Sequence, residues 1–132
     1  MRTLGLRHVA LNVADPQRTA EFYVRVMGMT VQWQPDDDNV YLTTEGLDNL
    51  AIHRANAEPE GAQRLDHMGF AVARAADVDA WFDHLNAHAV AIVAPPRTHR
   101  DGARSLYFRD PDGTVVQIIH DLPMAERALR PA

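Results

Sequence analysis

There is no cysteine anywhere in the 132 residues. That absence excludes disulfides and thiolate metal centres, so any metal has to be held by nitrogen and oxygen ligands. No apolar run approaches the ~18 residues that a membrane span requires, and the opening Met1-Arg2-Thr3-Leu4 lacks the apolar core of a secretory signal. A soluble, cytoplasmic protein with no membrane partner is expected. Basic charge is also scarce: 13 Lys and Arg against 18 Asp and Glu give a formal net charge of -5, whereas nucleic-acid binding normally needs a basic face or stripe. The expected partner is therefore a small molecule and not a nucleic acid. What remains, 46% hydrophobic and 23% charged, is the composition of one compact domain with a real core.

The chain repeats itself. Leu6-Arg7-His8-Val9-Ala10-Leu11-Asn12-Val13 aligns with Leu65-Asp66-His67-Met68-Gly69-Phe70-Ala71-Val72, and the same offset of 59 carries Phe22 onto Trp81, Tyr23 onto Phe82, Val26 onto Leu85 and Val31 onto Val90. A repeat of this length means a supersecondary unit that cannot bury its apolar face alone. Each copy opens with a histidine, so two imidazoles are expected to meet in one shared cleft.

Residues 5–13 alternate as a strand; Asp15 is placed to cap a helix, with Pro16 at its first position. Ala20, Phe22, Tyr23, Val26 and Met27 supply the helix's apolar face and Gly28 its end. Strands follow at 29–34, 40–44 and 49–54, separated by the acidic turn Asp36-Asp37-Asp38-Asn39 and by Glu45-Gly46-Leu47-Asp48. The second copy reads the same way: strand 65–73, helix 77–87, strand 89–94 broken by Pro95-Pro96, and strands 104–109 and 114–120 joined by the turn Asp110-Pro111-Asp112-Gly113. The expected fold is α+β, two βαβββ modules paired into an open, cleft-forming mixed β-sheet barrel. It divides as one domain over 1–132, with module one at about 4–56, a linker at 57–64, module two at about 65–121 and a tail at 122–132 that caps the sheet or frays. Whether the modules pair within one chain or between two is open.

His8 and His67, one per copy, form a plausible pair of ligands for a divalent metal, because neutral imidazole suits zinc, nickel and iron. Gln117, four residues after Gly113, offers a third ligand, an amide oxygen weaker than a carboxylate; its other reading is a polar residue on a strand face. His53 shares a strand face with Ala51 and lies in the cleft or in solvent. The loop Arg97-Thr98-His99-Arg100-Asp101-Gly102-Ala103-Arg104 is either a solvated turn or, through His99, Arg100 and Arg104, a recognition site for an anionic substrate group. His84 and His88 stand one helical turn apart with no acidic neighbour of the HExxH kind and read as surface, while His120 lies three residues from Gln117 and should face away from it.

These motifs resemble those of the vicinal oxygen chelate superfamily, which includes glyoxalase I, fosfomycin resistance proteins, extradiol dioxygenases, methylmalonyl-CoA epimerase and bleomycin resistance proteins. The resemblance covers residues 4–121 and rests on Leu6 to Leu11, on Phe22 to Met29, on Leu65 to Phe70 and on Leu106-Tyr107-Phe108-Arg109-Asp110-Pro111-Asp112-Gly113. It implies a glyoxalase-like fold, metal ligands at His8 and His67, and a glutamate where this chain has Gln117. The stretch 104–113 is similar to the extradiol branch, which implies that Tyr107 orients or protonates substrate; an aromatic at that position also packs the sheet in relatives without that chemistry. The chain departs from the branch at Leu47-Asp48-Asn49, where a histidine is usual, and at Gln117.

Two functions are carried forward. One is an enzyme that uses a divalent ion (Zn, Ni, Fe, Mn or Co) on His8 and His67 with Gln117 or His53 to chelate vicinal oxygens, in lyase, isomerase or dioxygenase chemistry. The other is a metal-free protein that sequesters a drug or metabolite, aromatic or anionic, as bleomycin resistance proteins do. In either case a homodimer is expected.

Overall fold

The computed structural model describes residues 1–2, 4–61 and 64–121. The expected tail at 122–132 lies outside the described residues. The chain divides into two compact units, Met1–Gly61 and Ala62–Ala132.

The first unit runs β1 (His8–Val13), α1 (Pro16–Arg25), β2 (Thr30–Asp36), β3 (Asn39–Thr43) and β4 (Asn49–Arg54). Helix α1 starts where the sequence says it should. Asp15 is extended, and its carboxylate accepts the backbone N–H groups of Gln17 and Arg18, with Pro16 occupying the first turn, where no N–H is needed. The helix stops at Val26, and Gly28 takes the left-handed φ of 73° that turns the chain into β2. The strands order as β1-β4-β3-β2, with β1 parallel to β4 and the other neighbours antiparallel. One sheet face carries Leu11, Val13, Val40, Leu42, Leu50 and Ile52, all buried, and α1 packs on β3 and β4. The alternate residues His8, Ala10 and Asn12 of β1 are exposed, because successive strand side chains point to opposite faces.

The second unit repeats this: β5 (Met68–Ala71), α2 (Ala75–Ala87), β6 (Ile92–Thr98), β7 (Arg104–Arg109) and β8 (Val115–His120), ordered β5-β8-β7-β6 with β5 parallel to β8. Val78, Leu85, Leu106, Phe108, Val116 and Ile118 are its fully buried core. The Asp110 turn is held by its own carboxylate, which accepts N–H groups from Asp112 and Thr114, while Gly113 adopts φ 87°.

Neither four-stranded sheet closes on itself; each keeps two edges, as the expected open α+β architecture requires. Two expectations are corrected. His67 precedes β5 and is not inside it. Pro95-Pro96 does not end its strand. β6 runs through both prolines because it is an edge strand, and the register shift between Ala94 and Arg97 leaves the two residues without ladder partners. Pro35 in β2 uses the same device, on the edge of the first sheet and inside the shift between Trp33 and Asp36.

Removing the cap with Asp15→Ala should cost about 1 kcal/mol of unfolding free energy. Urea denaturation checks this; an unchanged midpoint would mean that Asp15 does not hold the start of α1.

Candidate functional site

Register decides which side chains become neighbours on the face opposite each helix. In the second unit Gln117 of β8 stands between Gly69 of β5 and Tyr107 of β7. Its amide N–H donates to the Tyr107 hydroxyl oxygen at 2.8 Å. The amide oxygen lies over Gly69, where an added Cβ would come within 3.1 Å of it. Gly69 therefore makes a cradle for that oxygen which an alanine would fill. The His67 ring meets the Tyr107 ring edge-on, with centroids 5.1 Å apart. His67, Gly69, Tyr107 and Gln117 form one cluster, with Gln117 buried and the His67 side chain 34% exposed.

In the first unit the equivalent ladder position to Gln117 is Ala51, between Ala10 and Tyr41. No side-chain donor stands there. His8 is opposite Asn49 in the parallel pair, and the two side chains meet with Nδ1 of His8 2.6 Å from Oδ1 of Asn49. Asn49 uses its amide nitrogen on Gln32 at 2.8 Å, so its oxygen faces His8 and His8 must donate from Nδ1. The Nδ1 of His67 is likewise 2.5 Å from a carboxylate oxygen of Asp66. In both rings Nδ1 is the nitrogen that donates, and Nε2 makes no hydrogen bond among the described residues. A partner on one ring nitrogen that aims the other is the usual support of a metal-binding histidine.

The remaining candidates are placed elsewhere. His53 lies opposite Asn12, four residues along the ladder (about 13 Å) from the His8 pair. Its Nδ1 is 2.6 Å from Oδ1 of Asn39, and its ring stands edge-on to Tyr41. Arg104 opposes His120 in register and sits on the helix side of the second sheet, where its guanidinium grips Asp79 of α2 with bonds of 2.9 and 2.6 Å. This is a tie between helix and sheet, not a fork offered to a ligand. His99 meets the Ser105 hydroxyl through Nε2 at 2.6 Å, and Arg100 is exposed in the turn that follows. His88 bonds the His84 carbonyl from Nδ1. His120 keeps Nδ1 buried with no hydrogen-bond partner among the described residues. Among those residues no group of three or more His, Cys, Asp or Glu side chains could hold a metal; Gln117 is the amide that stands outside that set.

Three contributors escaped sequence reading. Asn49 was hidden because nothing local says that residue 49 lies beside residue 8; only the parallel β1/β4 register does. Gly69 as a cradle required the β5/β8 register in the same way. Asp66 was legible in principle, being next to His67 in the chain.

The family model described as Glyoxalase/Bleomycin resistance protein/Dioxygenase superfamily matches residues 5–118. The chain belongs to this superfamily. Among curated relatives, metallothiol transferase FosB of Shouchella clausii is 28% identical over 130 residues, covering 93% of this chain and 84% of that protein. FosB of Staphylococcus saprophyticus is 26% identical over 111 residues, with coverage of 83% and 72%. The crystal structure of lactoylglutathione lyase from Agrobacterium tumefaciens superposes with a TM-score of 0.76 at 23% identity, over 92% of this chain and 97% of that one, a likeness of fold. The glyoxalase-like α+β architecture is thus established, and no helix among the described residues is long and apolar enough to cross a membrane.

The Arg104–Asp79 pair sets a pH dependence. The Arg104 hydrogen bonds hold the Asp79 carboxyl below its ordinary 3.8. A carboxyl with a depressed folded value adds stability above its unfolded value and loses it as pH falls through the folded one. The melting temperature of Asp79→Asn should therefore lie below that of the parent at pH 6, and the gap should close as pH drops well under 3.8. A gap independent of pH would show that the charge on Asp79 contributes nothing.

Proposed function

We propose that this superfamily member is a small-molecule enzyme that works with a divalent cation held by His67, Gln117 and His8, with Tyr107 as a hydrogen-bond donor to substrate. The observation that carries the reading is the direction of the hydrogen bonds. Asn49 and Asp66 each take the Nδ1 proton of their histidine and leave Nε2 for a ligand, while Tyr107 takes the amide N–H of Gln117 and leaves its oxygen over the Gly69 cradle. Two imidazole nitrogens and an amide oxygen suit zinc, nickel, iron, manganese or cobalt. Bound there, such an ion would supply Lewis acidity to a substrate's oxygens.

The residues of the chain do the rest. Because the Tyr107 oxygen accepts from Gln117, its own hydrogen is directed away from the amide and can go to a substrate oxygen, stabilising charge that develops there. Gly69 keeps the Gln117 oxygen accessible, and Asp66 and Asn49 fix their imidazoles in one tautomer. Lyase or isomerase chemistry of the glyoxalase type fits this neutral donor set better than ring cleavage, which relies on a carboxylate ligand. The expected assembly is a homodimer.

One observation favours a second reading, metal-free binding of a drug or metabolite: residue 117 brings an uncharged amide, which holds an ion less tightly than a carboxylate does. Equilibrium dialysis with elemental analysis on tag-free protein separates the two. His8→Ala and His67→Ala should each abolish stoichiometric metal, Asp66→Ala and Asn49→Ala should weaken it about 10–100-fold, Gly69→Ala should weaken it by crowding the amide oxygen, and Gln117→Glu should tighten it. Protein that takes up none of the five ions, even as Gln117→Glu, would sink the enzyme reading and leave sequestration.

A further inference from the structure

The two units use the same pair of ladder positions differently. In the second, Tyr107 opposes Ala94 of β6, and its hydroxyl joins Gln117. In the first, the matching tyrosine, Tyr41, opposes Trp33 of β2, and the two rings stack with centroids 5.0 Å apart and planes 27° from parallel. Both ladders slip at the same place, between Val31 and Trp33 and between Ile92 and Ala94. At the first slip Gln32 and Trp33, though adjacent, both reach the open face, Gln32 to Asn49 and Trp33 to Tyr41. Trp33 remains 58% exposed. One face of the indole is on Tyr41, and more than half of the residue is open to solvent.

We propose that Trp33 is the stacking platform for a planar, uncharged aromatic ring of the ligand, and that Gln32 reads a hydrogen-bond acceptor on that ring's edge. This names the substrate class of the site in the preceding section and rests on that reading. The surroundings choose the class. Trp33, Tyr41, Asn49 and Gln32, the side chains that meet at this slip, carry no formal charge, so an anion finds no charged partner among them. The hydrogen bonds fix the polarity of the edge. Asn49 spends its oxygen on His8 and its nitrogen on the Gln32 oxygen, leaving the Gln32 amide N–H as the group that faces a ligand. The exposed part of this ring is too small to be a protein interface by itself. An aromatic side chain buries roughly 150–250 Å², against the ~1,000 Å² that a specific interface needs.

The test uses the full chain with EDTA present, so that metal occupancy cannot decide it. Binding of 2-naphthamide and of its saturated counterpart, decalin-2-carboxamide, is measured by calorimetry and by the shift of the Trp33 indole N–H resonance. Naphthamide should bind and shift that resonance, and the saturated amide should bind at least about tenfold more weakly, a difference of about 1.4 kcal/mol. Trp33→Leu should lose naphthamide by a similar factor, Trp33→Phe should stay within about threefold of the parent, and Leu47→Ala, at an exposed position, should bind as the parent does. Equal binding of the two amides, no binding of naphthamide, or undiminished binding by Trp33→Leu overturns the proposal. So does a Trp33→Leu variant that changes from dimer to monomer, which assigns the ring to an interface between copies. Metal uptake by the EDTA-free protein is a separate measurement: if it holds while stacking fails, only the aromatic assignment falls.

Discussion

The parallel pairing of the first strand of each unit with its last is the constraint on which everything else depends. A parallel partner cannot be reached by a tight turn, so the chain must travel through a helix and two further strands before β4 can lie against β1, or β8 against β5. The helix covers one face of the sheet, and that face takes the apolar alternates such as Leu11, Ile52, Phe108 and Ile118. The opposite face is left to side chains that the core does not need. It is there that residue 49 comes to lie beside residue 8, and residue 117 beside residue 69.

Duplication of the unit supplied two such faces, and substitution has made them unlike. The position between the parallel strand and the tyrosine is alanine at 51 and glutamine at 117; the position opposite the tyrosine is tryptophan at 33 and alanine at 94. Tyr41 and Tyr107 are equivalent in register, yet one offers its ring and the other its hydroxyl. The histidines diverge more quietly, one leaning on a neutral amide and the other on a carboxylate. A shared backbone thus tolerates different chemistry, because the pairs on the open face do not contribute to the apolar contacts that hold helix to sheet.

What could be read directly from the chain follows the range of the interaction involved. Asp15 with Pro16, Gly28 and the Asp110-Pro111-Asp112-Gly113 turn act within a few residues, and each does structurally what its residue types require. The repeat made the element order legible, and with it the fold. Pro95-Pro96 misled because proline's local effect is to withhold a donor, and whether that ends a strand depends on whether the strand lies at an edge, a property of the whole sheet. Arg104 misled for a related reason. Its place in a basic loop suggested a ligand, but strand parity turns it toward α2, where Asp79 awaits. The supports of the site, Asn49 and Gly69, are visible only once the parallel registers are known.

Charge is the reason the proposed site would depend finely on these supports. A carboxylate at 117 would bring its own attraction to a cation, and small errors of position would be forgiven. With an amide there, the anion in contact with the cluster is Asp66, hydrogen-bonded to His67 and 94% exposed, so water weakens its field. In the proposed site, affinity would then have to come from geometry, that is, from imidazoles aimed by their Nδ1 partners and an amide oxygen placed above a residue with no side chain. Such a site would hold an ion more loosely than one built with a carboxylate, and would leave more of the ion's positive charge for the oxygens of whatever binds. That trade would favour reactions in which the ligand carries the developing negative charge, and would weigh against those in which the protein must stabilise a higher oxidation state of the metal.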